Sequence, residues 1–159
     1  MILGLVGSEM CIRDRNWISS TYTDLNLSID SPDALYRSPD STINKLTFIS
    51  SNKNLEINLI TKPIDENSDL SNELINDFKE RNFINVITKN EDFQTLDGDK
   101  GVKIFGSFDD QNLNRKKDYS TILFVVNKLS IKLEIIFERG NANLQKIVDR
   151  VINSLKFNK

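Results

Sequence analysis

Between Ser130 and Glu138 the apolar residues Ile131, Leu133, Ile135 and Phe137 occupy every second position, with Lys132, Glu134 and Glu138 between them. A β-strand points successive side chains to opposite faces, so this pattern demands a sheet with an apolar face. The cover for that face follows directly. Beyond Gly140, which breaks the strand, Leu144, Ile147, Val148, Val151, Ile152 and Leu155 recur at helical spacing and trace a stripe along a final amphipathic helix. The fold class expected is α+β: an antiparallel sheet of about six to seven strands with amphipathic helices packed on it.

The rest of the chain supplies the other strands. Leu25, Leu27 and Ile29 alternate with Asn26 and Ser28, and Ser31-Pro32-Asp33 stops that run. Lys45 to Ser50 and Leu55 to Thr61 read as a hairpin joined by Ser51-Asn52-Lys53-Asn54, with Leu55, Ile57 and Leu59 on one face. Pro63 ends the pair. A helix capped at Asn67-Ser68 follows, with Leu70, Leu74 and Phe78 along one side. Asp69 and Glu73 near its start, and Lys79 and Arg81 near its end, suit the helix dipole. Then come a strand at Asn82 to Thr88, and strands at Glu91 to Leu96 and Gly101 to Phe108 paired across Asp97-Gly98-Asp99-Lys100. After a polar loop, Asp109 to Asp118, the continuously apolar Thr121 to Val126 implies a strand covered on both faces. Asn127-Lys128 turns the chain into the strand that opened the argument. Nothing repeats internally and no linker divides the chain.

The first residues have a different origin. Leu5-Val6-Gly7-Ser8-Glu9-Met10-Cys11-Ile12-Arg13-Asp14 is the translation, codon by codon, of a common transposase sequencing adapter read from its third base. Residues 1–15 are therefore expected to be adapter-derived and without a place in the fold. A single N-terminally truncated domain is expected over residues 16–159. On that expectation Met1 to Arg15 make few contacts with the sheet, and localisation stays open because a signal peptide, lipid anchor or further domain could have preceded Asn16.

Removing that prefix removes Cys11, the one cysteine of a chain that has no histidine. Without Arg13, Arg15, Glu9 and Asp14 there remain 19 basic and 21 acidic residues, so the net charge stays at -2. That balance argues against a nucleic-acid partner, which selects for a basic excess or stripe. About 144 residues suffice for one domain burying roughly two-thirds of its unfolded surface. No run of 18 apolar residues is present to span a membrane.

Without His or Cys, a Ser-His-Asp triad, a Cys-His pair and the common zinc sets cannot be assembled. The scattered glycines form neither a phosphate loop nor a dinucleotide fingerprint. Asp109 with Asp110 is one acidic pair that could share acid and base roles, although carboxylates this numerous usually solvate a surface. Asp65 to Asp69 and Asp110 to Asn114 place oxygen ligands at alternate positions, like calcium loops. Both lack the sixth-position Gly, having Leu70 or Arg115, and the twelfth-position Glu, having Asn76 or Thr121; helix capping and a plain loop are the better readings. Arg115-Lys116-Lys117 beside Tyr119 reads as a solvated loop. Trp17 and Tyr22 are expected to cover one edge of the core. No catalytic, cofactor or metal residue is assigned.

A strand, a hairpin, a helix, further antiparallel strands and a terminal helix succeed one another. Leu96-Asp97-Gly98-Asp99-Lys100-Gly101, the strand Ile131 to Phe137, and Val151-Ile152-Asn153-Ser154-Leu155-Lys156-Phe157 stand at characteristic places in that order. In these segments the chain resembles the PsbP-like fold over roughly Leu25 to Phe157. The resemblance implies an α/β/α sandwich of the kind found in extrinsic photosystem II subunits, a Ran-binding import factor, bacterial periplasmic lipoproteins and chaperones of secreted effectors. It also implies action by binding rather than catalysis, in an exported or lipid-anchored bacterial protein. The function expected is a non-catalytic accessory domain with a protein partner and no cofactor. A small-ligand or lipid carrier would need an apolar cavity between sheet and helices, and a carboxylate-only enzyme would need two acids converging in a pocket.

Overall fold

A computed structural model describes residues 17–33, 35–39, 41–42, 44–63, 70–126 and 128–157. The adapter-like prefix, the Asn67-Ser68 cap with Asp69, the calcium-like Asp65 to Asp69 and Asn127 all lie outside them.

Strand β9 (Leu129–Glu138) is central, as its alternation requires. It pairs antiparallel with β5 (Leu55–Pro63) on one side and β8 (Arg115–Val126) on the other. β4 (Lys45–Ile49) and the short β3 (Tyr36–Arg37) extend the sheet beyond β5. β7 (Lys100–Asp110) and β6 (Phe83–Gln94) extend it beyond β8, completing seven antiparallel strands in the order β3-β4-β5-β9-β8-β7-β6. A second sheet joins β1 (Trp17–Tyr22), β2 (Leu27–Pro32) and β10 (Lys156–Phe157), with β2 in the middle.

The large sheet is covered on both faces. Helix α2 (Ala142–Asn153) and the small sheet pack on the side of Ile131, Leu133, Ile135 and Phe137, where Leu55, Ile57, Leu59, Ile122 and Phe124 join Leu144, Ile147, Val148, Val151 and Ile152 in one core. Helix α1 (Leu70–Glu80) packs on the opposite side, where Leu74 and Phe78 meet Phe83, Ile104, Phe108, Tyr119, Leu123 and Ile136. Burying an apolar side chain of this size contributes roughly 1.5–3 kcal/mol. The α2 stripe read from the sequence supplies five of its buried residues. Asn141 caps the helix by accepting the Leu144 N–H at 3.1 Å. Gly140 precedes it at φ +81, a backbone state that glycine adopts without strain.

Several boundaries differ from the sequence expectation. Leu25 belongs to a 3-10 turn (Thr23–Leu25), and the strand begins at Leu27 after Asn26 turns left-handed at φ 51. The two strands expected at Asn82 to Thr88 and Glu91 to Leu96 are one strand, β6, because β7 pairs with it almost throughout. A bulge between Ile84 and Ile87, with Asn85 at φ 53, re-aims it. There the β6 backbone comes so close to Gly106 that a Cβ would stand 1.8 Å from the Ile87 carbonyl oxygen. The polar stretch Asp109 to Asp118 is mostly strand. Only 111–114 turn, since Asp109 and Asp110 stand opposite Lys116 and Arg115 and such opposite-charge pairs stabilise a ladder. The final Lys156-Phe157 is not helix: α2 ends at Asn153, and the tail joins β2. β1 was not legible as a strand at all. Its Trp17, with Tyr22 and Leu25, packs at the margin of the α2-side core, as expected of the two aromatics.

Candidate functional site

Alternation along β9 that places Ile135 in the α2-side core turns Glu134 toward α1. With α1 covering that face, Glu134 is 0% exposed. Asn58 stands opposite it on β5, and Thr47 opposite Asn58 on β4. The Thr47 hydroxyl donates to Asn58 Oδ1 at 2.7 Å, and Asn58 Nδ2 donates to Glu134 Oε1 at 3.0 Å and to Glu56 Oε2 at 2.9 Å. Arg81, one residue past α1, completes the network. Its Nη1 donates to Glu134 Oε1 at 2.8 Å and to Asp77 Oδ2 at 3.1 Å, and its Nη2 donates to Glu56 Oε2 at 3.1 Å. The guanidinium also lies over the Phe83 ring, 4.8 Å from its centroid.

Burial acts against the charge on both partners, and their mutual attraction outweighs it. Desolvation would raise the Glu134 carboxyl, yet Arg81, Lys132 and the hydrogen bonds from Arg81 and Asn58 bring it below its ordinary value. Desolvation would lower Arg81, yet Glu134, Asp77 and Glu56 hold it above its ordinary value. Glu134 Oε2 and its cross-strand neighbour Thr121 Oγ1 are buried without a hydrogen-bond partner among the described residues.

Beside this network lies a cavity of about 230 Å³, lined by Ile49, Lys53, Glu56, Arg81, Phe83, Asp110, Leu113, Lys117 and Ile136. Three junctions form it: the β4–β5 turn, the β7–β8 turn and the passage from α1 to β6. Lys117 is 2% exposed and donates to the Lys53 carbonyl at 2.9 Å. Its ammonium sits below the usual lysine range because burial strips water from it and Arg115 repels it; Glu138, Asp110 and Glu56 offset this only in part. Asp110 is turned to its own hairpin, where Oδ1 accepts the N–H groups of Asn112 and Leu113.

A second feature lies at the far edge of the sheet. The α2-side core draws no fully buried residue from β6 or β7, so those strands project past their cover. Ile87, 57% exposed, and half-buried Phe105 line a groove of about 520 Å³ with Lys89, Lys103, Asp118 and Gln145. Among the described residues β6 is paired on one side only.

The structure redistributes the residues that stood out in the sequence. Asp109 and Asp110 do not converge on one site: Asp110 lines the cavity, whereas Asp109 accepts from Asn85 Nδ2 at 2.8 Å. The calcium-like Asp110 to Asn114 is a hairpin turn, in keeping with the plain-loop reading. Arg115, Lys116 and Lys117 are not a solvated loop: they open β8, and Lys117 is buried. Lys117 carried a signal nonetheless, since it shares its parity with Tyr119 and Leu123. Glu134, placed among the outward-facing residues, is buried because its face has a lid. Among the described residues no cluster of acidic, His or Cys side chains is arranged to hold a metal ion. No helix among them is long and apolar enough to cross a membrane.

A seven-stranded antiparallel sheet with one helix on one face, and a C-terminal helix plus small sheet on the other, is the PsbP-like fold. Solved structures share it. The Saccharomyces cerevisiae Ran-binding protein Mog1p superposes with a TM-score of 0.59 at 11% identity, over 91% of this chain and 96% of that one. The cyanobacterial PsbP, CyanoP, of Synechocystis sp. PCC 6803 gives 0.56 at 11%, over 89% and 92%. LpqN of Mycobacterium tuberculosis, involved in cell envelope biogenesis, gives 0.56 at 13%, over 96% and 97%. At these identities the shared property is the fold. No protein-family model matches the chain, and no curated protein matches it significantly by sequence.

Proposed function

We propose that the chain is a non-catalytic binding module that works through a protein partner, docked along β6 and the uncovered face of β7. The observation that carries this is a twelve-residue edge strand, paired on one side among the described residues, that bears the exposed Ile87 next to the half-buried Phe105 of β7. An edge strand presents unpaired N–H and C=O groups to which an extended segment can add. The bulge at Ile84/Ile87 and the charges of Lys89, Glu91 and Asp92 discourage pairing between identical copies and leave the edge to a complementary chain. The Ran-binding description of Mog1p supports a protein partner on this fold.

The test compares capture from source cells by the wild type and by Ile87→Glu, followed by titration of the recovered protein. The variant is expected to bind about tenfold or more weakly, as at an interface anchor. Unchanged affinity would move the site elsewhere. Turnover of a substrate by the pure domain, with no partner recovered, would end the reading.

A second reading, a small-ligand carrier, is favoured by a cleft of about 580 Å³ between the two sheets, lined by Tyr22, Leu25, Arg37, Leu46, Leu59 and Leu129 among others. That volume falls in the range of small-molecule sites, roughly 300–1,000 Å³. The cleft separates sheet from sheet rather than sheet from helices. Titration with a fluorescent fatty acid, expected to saturate at one per chain and to fail for Leu46→Arg, tests it; no saturable signal would refute it.

A further inference from the structure

Lys117 poses a problem that the fold does not solve. An ammonium has three donors, and among the described residues this one spends a single hydrogen bond, on the Lys53 carbonyl, and forms no ion pair. A buried cation in that state is costly unless an anion joins it or its proton leaves. The two carboxylates that share its cavity make no ion pair with it, and each bonds elsewhere through one oxygen. Glu56 accepts from Arg81 and Asn58, and Asp110 caps the β7–β8 turn. Lys53, Arg81 and Lys117 stand in the lining against Glu56 and Asp110, with Arg81 also paired to Glu134 and with Glu138 opposite Lys117 on β9.

The walls complete the specification. Phe83, Ile136, Ile49 and Leu113 are apolar, so the cavity offers a cation at its base and a hydrocarbon lining around it. Its volume, about 230 Å³, falls below the roughly 300–1,000 Å³ of drug-sized sites and suits a small acid or the end of a chain. We propose that this cavity binds a carboxylate borne on a short branched apolar group, with the carboxylate accepting from the Lys117 ammonium and the apolar group against Phe83 and Ile136. Such a group occurs on free small acids and at the C-terminus of a peptide ending in an aliphatic residue. The site is separate from the β6 edge and stands or falls independently of the partner proposed there.

Supporting this geometry, the Lys117 amine lies below its ordinary pKa through burial and Arg115, against the pull of Glu138, Asp110 and Glu56. A bound carboxylate would add to the attraction of these three.

The experiment follows backbone amide shifts of the intact chain during titration with isobutyrate, with its neutral isostere isobutyramide, and with acetyl-Ala-Leu as free acid and as amide. The acids are expected to produce saturating shifts at Lys53, Phe83, Leu113 and Lys117, and the amides to bind about tenfold or more weakly. Lys117→Met is expected to abolish that preference. Leu113→Trp, a change on the exposed β7–β8 turn at the cavity wall, is expected to block both acids with the fold intact, and it serves if the lysine variant does not fold. Whichever acid binds more tightly identifies the source. Equal binding of acids and amides, shifts that never saturate, or full acid binding by both variants would overturn the proposal.

Discussion

Glu134 and Ile135 are adjacent on one strand, and they show how differently the two faces of the large sheet are held. Ile135 enters a core of aliphatic and aromatic side chains shared by α2, the small sheet and the middle strands. Glu134 enters a core closed by α1, where aromatic and aliphatic side chains lie beside a chain of hydrogen bonds from Thr47 through Asn58 and Glu134 to Arg81. The α2 side depends on shape and area, which tolerate changes of pH. The α1 side depends on charges that stabilise only as a set, since a buried ion pair roughly offsets its own desolvation and becomes a liability when one partner is lost. The side built on charges borders the cavity at Lys117, and the α2 side borders the cleft between the two sheets.

The sharpest way to break this comparison is Arg81→Met, which leaves the Glu134 carboxylate buried without its closest cation. A loss of ~3–5 kcal/mol in denaturant unfolding is expected. Adding Glu134→Leu is expected to restore most of it, and a double variant no better than the single would mean that the pair supplies more than mutual neutralisation. Next comes Ile135→Ala, expected to cost ~2–5 kcal/mol with no dependence on pH between neutral and mildly acid solution.

Acid distinguishes the faces further. Because folding lowers the Glu134 pKa, its contribution is fully present above the ordinary carboxylate value and is lost as pH falls through the folded-state value. Wild type and Arg81→Met/Glu134→Leu should therefore converge in stability on acidification, with hydrogen exchange rising in α1 before α2. Asn141→Ala, which removes the α2 cap, is expected to cost ~1 kcal/mol by thermal unfolding. Smallest of all, Ile87→Glu at an exposed site should alter stability by no more than ~0.5 kcal/mol while weakening the partner.

The α2 side was legible in the sequence and the α1 side was not, for one physical reason. Period two assigns Glu134 to the face opposite Ile135, but it does not say whether that face meets water or a helix. The helix stripe of Leu74 and Phe78 implied a cover without indicating how far along β9 it reached. Arg115 to Asp118 looked like loop because four polar residues carry little strand propensity. Their strand is imposed by partners on both sides, β7 and β9. Lys117 was hidden for the same reason, and with it the cavity. Lys156-Phe157 follow directly on the helical stripe that ends at Leu155, and the long-range pairing with Leu27 and Ser28 makes them strand.

That last pairing sets an order of events during synthesis. β2 lies between β1 and β10, and the Asp30 N–H donates to the Ser154 hydroxyl at 2.9 Å across 124 residues of intervening chain. Leu27 to Pro32 leave the ribosome well before Ser154 to Phe157, so the central strand of the small sheet keeps the edge that β10 covers open until the helix α2 has been made. Contacts this distant in sequence slow folding and prolong the exposure of unpaired edges.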